Sequence, residues 1–237
     1  MKTRSETGDT VAIVPVRAGS KTLPGKNTRL VNGLPLYLRA VLQGLRTVGR
    51  VILSTDIEAI DEATLPNGCT LSRRPPALAA DDTPMDFVIR HLIDEHGLTG
   101  KCLVLLQATS PLRLDSDILA ALKLFGTRQY DMVLSVVERD RGALKYGTLQ
   151  GSTFSAMREQ RFCFFNRQQL PAVHGPNGAV YVFEADHFVV VQGFPSSRIG
   201  AVEMPIERSA DIDTLADFRH VENMLMVRNS DQLGCGG

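Results

Sequence analysis

Residues 11–27 read VAIVPVRAGSKTLPGKN, an apolar run that passes directly into a loop holding Arg17, Gly19, Ser20, Lys21, Gly25, Lys26 and Asn27. An apolar run without alternation is what a strand covered on both faces requires, and such strands belong to parallel sheets. The loop has the makings of a polyphosphate cradle. Glycine conformations let backbone N–H groups point at phosphate oxygens, and the cations Arg17, Lys21 and Lys26 offset the charge. From residue 10 to residue 55 there is no Asp or Glu, although 26 acids in 237 residues predict about five there by proportion; the same segment carries seven Lys or Arg. A local positive field therefore sits in a chain of zero formal net charge.

Two standard loops are excluded. A Walker A loop has four residues between its glycines and Ser or Thr after the Lys. Here Gly19 and Gly25 enclose five, and Asn27 follows Lys26. The dinucleotide fingerprint is also absent, and no acidic residue that could hold a ribose precedes Asp56.

The composition, 43% hydrophobic and 22% charged over 237 residues, is that of an ordinary globular protein and fits one α/β domain spanning 1–237 with an appendage. Balanced charge argues against a dedicated nucleic-acid binder, so the expected partner is small. The cysteines, Cys69, Cys102, Cys163 and Cys235, are scattered and signal neither a zinc knuckle nor a disulfide framework. The polar start MKTRSETGDT and the lack of an 18-residue apolar run lead to the expectation of a cytoplasmic protein with no membrane span.

Short β-branched runs at 11–16, 51–54 and 102–106 alternate with helical patterns at 35–47, 84–96 and 116–125, which is the rhythm of a mostly parallel central sheet flanked by helices. Further strands are expected at 132–137, 178–183 and 199–204, with a closing helix near 215–227. Because ligands in such sheets bind at the carboxyl ends of strands, the loops opening at Arg17, Thr55 and Gln107 should share one rim. Residues 138–171, charged and aromatic without a clean helix, read as a β-rich arm. Its Phe154, Phe162, Phe164 and Phe165 have little local core to enter, so they either pack back on the sheet or meet another subunit, and a second subunit is the favoured reading.

Three further motifs carry chemistry. Ser54, Thr55 and Asp56 end a buried strand, either as rim groups or as a helix cap. In LLQATSPLR the strand delivers Gln107, which can donate to and accept from a sugar or base, while Ser-Pro is turn chemistry. In Asp211-Ile212-Asp213 both carboxylates lie on one side of an extended segment, either as a magnesium platform or as caps for the following helix.

Taken in order, PVRAGSKTLPGKN, VILSTD, LLQATSPLR, RQQLPAVHGPNGAVYV and DIDTLADF resemble the acylneuraminate cytidylyltransferases (CMP-sialic acid synthetases), over most of the chain. The resemblance implies a nucleotidyltransferase-type, Rossmann-like α/β fold and transfer of CMP from CTP to an acidic acceptor sugar, sialic acid or a related nonulosonate, with release of pyrophosphate. It implies that Arg17, Ser20, Lys21, Lys26 and Asn27 hold the triphosphate, with Arg17, Lys21 and Lys26 stabilising charge on the leaving group. Arg74 and Thr83 would flank the cytidine, although Pro84 and Met85 interrupt the usual Ser/Thr run. Gln107, Lys145, Arg167 and Tyr181 would contact the acceptor, and Asp211 and Asp213 would hold Mg2+. A homodimer is implied, with 138–171 as a dimerisation arm that reaches the neighbouring site, so that Lys145 and Arg167 act in trans.

Departures from the pattern bear on the acceptor. Relatives commonly carry Arg just before the Pro-Asn-Gly, where this chain has Gly175 beside His174, and a second aromatic where Pro195 follows Phe194. Two other readings stay open: a phosphonate cytidylyltransferase using CTP, and a non-catalytic nucleotide-binding domain.

Overall fold

The computed structural model describes residues 10–20, 22–80 and 82–234, with side chains described to residue 228. In chain order the elements are β1 (Thr10–Val16), β2 (Leu30–Val31), β3 (Leu34–Pro35), α1 (Leu36–Thr47), β4 (Val51–Thr55), β5 (Cys69–Arg73), α2 (Met85–Glu95), β6 (Cys102–Leu106) and α3 (Asp115–Gly126). They continue with β7 (Met132–Arg139), β8 (Gly147–Gln150), β9 (Thr153–Ala156), β10 (Val173–Glu184), α4 (Ala185–Val191), β11 (Ile199–Glu203) and α5 (Leu215–Gly234).

Seven strands form one sheet in the order β11-β7-β10-β6-β1-β4-β5. β1 pairs in parallel with β4 and β6, β4 with β5, and β7 with β11. β10 alone runs antiparallel, between β6 and β7, and slips register between Pro176 and Tyr181. Strand alternation divides the apolar side chains between two layers. Ala12, Val14, Leu53, Val104 and Val182 face α1 and α3, whereas Val11, Ile13, Ile52, Leu103 and Phe183 face α2 and α4. That two-sided cover is why the central strands are apolar throughout. Each fully buried Leu, Ile or Val there contributes about 1.5–3 kcal/mol.

The expected helices and central strands are present, and three elements differ from the sequence reading. β5, CTLSR, reads as polar because it lies at the sheet edge with its outer residues toward solvent. α4, ADHFVVV, has a β-branched end but folds as a helix, because Ala185 and Phe188 find the core while Val190 stays exposed. α5 runs to Gly234, beyond the expected end near residue 227.

Between β7 and β10 the chain leaves the sheet. It forms the β8–β9 hairpin and three 3-10 turns, Arg141–Lys145, Gln160–Phe164 and Arg167–Gln169. Phe162 and Phe165 pack together with ring centroids 5.8 Å apart beneath the Arg161 guanidinium, whereas Tyr146, Leu149, Met157 and Phe164 are strongly exposed. Among the described residues no helix is long and apolar enough to cross a membrane.

Candidate active site

The carboxyl ends of the parallel strands gather Arg17 after β1, Thr55 and Asp56 at β4, Arg73 and Arg74 at β5, and Gln107 after β6. β10 runs the opposite way, so it brings its beginning, His174 to Gly178, to the same rim. The loop after β1 turns at Gly25, whose φ of 66° is left-handed, and enters a 3-10 turn over Lys26–Thr28. Asn27 is buried and its Nδ2 donates to the Arg17 carbonyl at 3.0 Å, closing the base of the loop. Leu23 N donates to Ser20 Oγ at 3.4 Å, and Arg17 reaches the Ala80 carbonyl at 3.5 Å. Lys21 lies outside the described residues.

Far along the chain, the Asp211–Asp213 segment meets this loop. Lys26 Nζ donates to the Ile212 carbonyl at 2.7 Å and to Asp213 Oδ1 at 3.1 Å, and Ile212 N donates to the Thr109 carbonyl at 2.9 Å. The meeting has an apolar cause. Leu23 from the loop and Ile212 from between the two aspartates enter one small core with Val31, Leu36, Leu112 and Phe218. In an extended segment this burial of Ile212 turns Asp211 and Asp213 outward together. Neither aspartate caps α5. Thr214 and Asp217 do so, with Thr214 N donating to Asp217 Oδ2 at 2.7 Å and Asp217 N to Thr214 Oγ1 at 3.2 Å.

Desolvation raises the Asp211 carboxyl above its ordinary pKa, the neighbouring Asp213 adds to this, and a Thr109 hydrogen bond with the Lys26 charge only partly offsets it. Two carboxylates turned outward together are ligands of the kind a hard cation of the magnesium type takes, although the Lys26 ammonium already sits 3.1 Å from Asp213 Oδ1. Among the described residues no group of three or more His, Cys, Asp or Glu could hold a metal, so remaining ligands would come from phosphate and water.

Beside the loop opens a cleft of about 770 Å³ lined by Thr55, Asp56, Arg73, Arg74, Pro76 and Ala80. Asp56 Oδ1 accepts from Ala18 N at 2.8 Å and Thr55 Oγ1 from Ile57 N at 3.0 Å, so these residues shape the rim and cap no helix. Arg74 is buried under the cleft, its NH2 on the Ser54 carbonyl at 3.2 Å, and burial pulls its pKa down against the opposing pull of Asp56. Thr83 closes the adjoining turn, its N–H on the Ala80 carbonyl at 3.2 Å.

On the other flank, Gln107 lies against Gly178, whose φ of +77° and lack of a side chain leave room for the amide; a Cβ there would stand 3.5 Å from Gln107 Oε1. Tyr181 is half-buried and packs on Phe194 with centroids 5.8 Å apart; burial raises its phenol pKa and the Asp211 charge raises it further. Arg113, which the sequence reading passed over, is an organiser here. Fully buried, it donates through NH1 to the Ala179 carbonyl at 2.5 Å and the Gln107 carbonyl at 3.3 Å. Asn177, also passed over, bonds Ser209 Oγ at 2.9 Å and accepts from Ser135 Oγ at 2.6 Å, tying the Pro-Asn-Gly turn to the chain entering Asp211.

The arm residues stand apart from this centre. Arg167 pairs with Asp140 at 2.6 Å within the arm, and the Lys145 carbonyl accepts from the Cys163 thiol at 3.7 Å. His174 Nε2 sits 3.4 Å from Glu203 Oε1. Gly175, where the resemblance leads to the expectation of an Arg, lies beneath Arg139 of β7. A Cβ on it would come 3.3 Å from Arg139 Cγ and 3.6 Å from its Nε. Arg139 thus places a cation over the position where the sequence lacks one. Cross-strand register, invisible in one sequence, is the signal that finds it.

A cationic glycine-containing loop joined to a carboxylate pair therefore stands at the rim of a mostly parallel sheet. The family model described as cytidylyltransferase matches residues 11–210, and the chain belongs to that family. It is 29% identical over 215 residues to an N-acylneuraminate cytidylyltransferase of Streptococcus agalactiae, covering 89% of this chain and 52% of that protein. It is 27% identical over 235 residues to a CMP-N,N'-diacetyllegionaminic acid synthase of Legionella pneumophila, covering 94% of this chain and 98% of that one. These relatives bear out the resemblance to the acylneuraminate cytidylyltransferases, although the chain spans about half the length of the streptococcal relative. Among solved structures, a CMP:2-keto-3-deoxy-manno-octonic acid synthetase complexed with CTP superposes with a TM-score of 0.67 at 16% identity, covering 93% of this chain and 99% of that one. A 4-diphosphocytidyl-2C-methyl-D-erythritol synthase from Anaerococcus prevotii gives 0.62 at 11% identity, covering 93% and 97%. At such identities these two establish the fold.

Proposed function

We propose that this chain transfers CMP from CTP to an acidic acceptor sugar of the sialic acid or related nonulosonate type and releases pyrophosphate. The observation that carries the reading is the Lys26 bridge to Ile212 and Asp213, which joins the phosphate loop to the carboxylate pair. In this reading the triphosphate lies on the loop of Arg17, Ser20, Lys21 and Lys26, with Asn27 holding the loop closed. The cytidine enters the cleft over Arg74 beside Thr83. An acceptor hydroxyl attacks the α-phosphorus in line, a reaction that needs positioning and charge neutralisation more than covalent catalysis. Arg17, Lys21 and Lys26 neutralise charge gathering on the departing pyrophosphate. Asp211 and Asp213 would hold Mg2+, which when bound polarises the α-phosphate and acidifies the attacking hydroxyl. Gln107 and Tyr181 orient the acceptor, and Arg139 offers its guanidinium to the acceptor's anionic group.

The chain acts as a single 1–237 domain with 138–171 as a dimerisation arm. The exposed Tyr146, Leu149, Met157 and Phe164 support a homodimer in which Lys145 and Arg167 enter the partner's site. The thiols of Cys69 and Cys163, which form no disulfide, support a cytoplasmic setting. A phosphonate acceptor is the second reading, favoured by Gly175 and by cations that grip any oxyanion. A screen of pyrophosphate release from CTP against sialic, legionaminic, pseudaminic and Kdo-type sugars and small phosphonates tests these readings. Release with a nonulosonate sustains the proposal, release with phosphonates alone replaces it, and CTP binding without any release makes the chain a nucleotide sensor.

A further inference from the structure

We propose that the cleft between α1, the turn at residues 111–115 and α5 is a second anion site, separate from the phosphate loop, that takes a small organic molecule through a phosphate or carboxylate head. The cleft measures about 440 Å³, and its charged lining is Arg39, Arg46, Arg113, Arg228 and one acid, Asp115. Asp115 is already committed, gripping Arg46 in a two-pronged pair at 2.6 and 2.9 Å. Among the described residues no carboxylate pairs with Arg39, Arg113 or Arg228.

Their hydrogen-bonding capacity is correspondingly underused. Each guanidinium has five N–H donors. Arg39 spends one on the Val31 carbonyl at 2.8 Å, and its buried Nε has no partner. Arg228 spends one on the Leu112 carbonyl at 2.9 Å. Arg113, 2% exposed, is better satisfied, with NH1 on the Gln107 and Ala179 carbonyls and NH2 donating to Gln43 Oε1 at 3.0 Å, and only its buried Nε has no partner. Burial lowers the pKa of all three, that of Arg113 to about 10, although the Asp117 charge opposes the shift at Arg113 and Arg228 and Asp115 opposes it at Arg113. Charge-assisted bonds to planar or tetrahedral oxyanions are what such forks do best. Leu42 and Leu225 give the cleft apolar walls, so a ligand with a carbon body fits better than a bare ion.

The site also has a route to the rim. The guanidinium of Arg113 that lines this cleft donates through NH1 to the carbonyls of Gln107 and Ala179. An anion that draws on Arg113 therefore alters the hold on Gln107, and occupancy should be read in the acceptor's KM before kcat.

Calorimetry with inorganic phosphate and, separately, acetate tests the site on the full chain. The tighter of the two names the head group, and binding of neither overturns the proposal. Lys26→Ala, which removes a cation from the phosphate loop, should retain this binding event. Arg39→Gln and Arg228→Gln should each weaken it by about tenfold or more, and Arg39→Lys by less. Thermal melts without anion check that the variants fold. An event lost in Lys26→Ala but unchanged in folded Arg39→Gln and Arg228→Gln assigns the anion to the rim and overturns the second site. Because the readout is anion binding, it stands independently of whether CTP is turned over.

Discussion

The two ends of the sheet treat charge in opposite ways. At the amino ends of β7 and β11, Asp131 accepts from Arg198 at two nitrogens and from Ser197 Oγ at 2.8 Å. The Arg198 hydrogen bond, helped by Ser197, pulls its carboxyl down to about 2. At the carboxyl rim, environment works against the charged form. Asp211 is raised, Arg74 is lowered and Tyr181 is raised, in each case with desolvation as the first cause. One end pairs its charges to hold strands together, and the other holds Asp211, Arg74 and Tyr181 where burial works against their charged forms. Groups perturbed by burial and gathered at one rim are the mark of a site that a ligand completes.

The largest way to break this contrast is at Lys26 and Asp213. Lys26→Ala and Asp213→Asn should each lower kcat by roughly 10²–10³-fold while far-UV circular dichroism and Tm change little, because the rim pair serves chemistry more than cohesion. An Asp213→Asn enzyme with near-normal turnover would remove the metal assignment. A large loss of Tm in either variant would put the pair with the structural end.

Next in size is the acceptor flank. Arg139→Ala should raise the acceptor's KM about tenfold and leave the KM for CTP nearly unchanged, since its guanidinium lies over Gly175, on the far flank from the Arg74 cleft. Arg167→Ala should act in the same direction if the arm of one protomer serves the other. Mixed dimers of Arg167→Ala and Lys26→Ala chains then regain up to about a quarter of wild-type activity, one repaired site in a statistical mixture. A KM effect on CTP instead would move either residue to the nucleotide side.

A finer test uses pH. Burial and the Asp213 charge raise the Asp211 carboxyl, so its proton is held at a pH where ordinary carboxylates are already ionised. Removing the neighbouring charge in Asp213→Asn should move the Asp211 titration to lower pH, observable by carbon NMR of labelled aspartate even in an inactive protein. No displacement would show that the two carboxylates do not sense each other. The sign for stability follows: a raised carboxyl pKa means that ionising Asp211 costs folding free energy, the reverse of Asp131.

The rim's main parts are legible in the sequence, and its organisers are not. The acid-free stretch around Arg17 and Lys26 stands out because charge depletion is a property of composition, and the Asp211–Asp213 spacing because extended chain alternates. Their meeting depends on Leu23 and Ile212 sharing a core, which is a tertiary fact. Arg113 in SPLR carries no mark of burial in the sequence, and only the fold buries it among carbonyls. β5 is missed because an edge strand has no need of apolar residues on both faces, and Arg139 over Gly175 because it requires the β7–β10 register.

The smallest expected effect comes from the well-paired end. Asp131→Asn removes the charge from a carboxylate that the folded state holds near 2, so its contribution is present above the unfolded carboxyl value and is lost as pH falls toward the folded one. At pH 7 the variant should therefore melt slightly lower, by no more than about 4 °C, because the Arg198 side of the pair is exposed and screened. The gap between wild type and variant should close as pH is lowered from 4 toward about 2, the reverse of any pH effect at Asp211. Turnover measured at pH 7 should not change. If Asp131→Asn cut activity without lowering Tm, the two ends would be coupled through the sheet, and the division of labour between scaffold and rim would have to be abandoned.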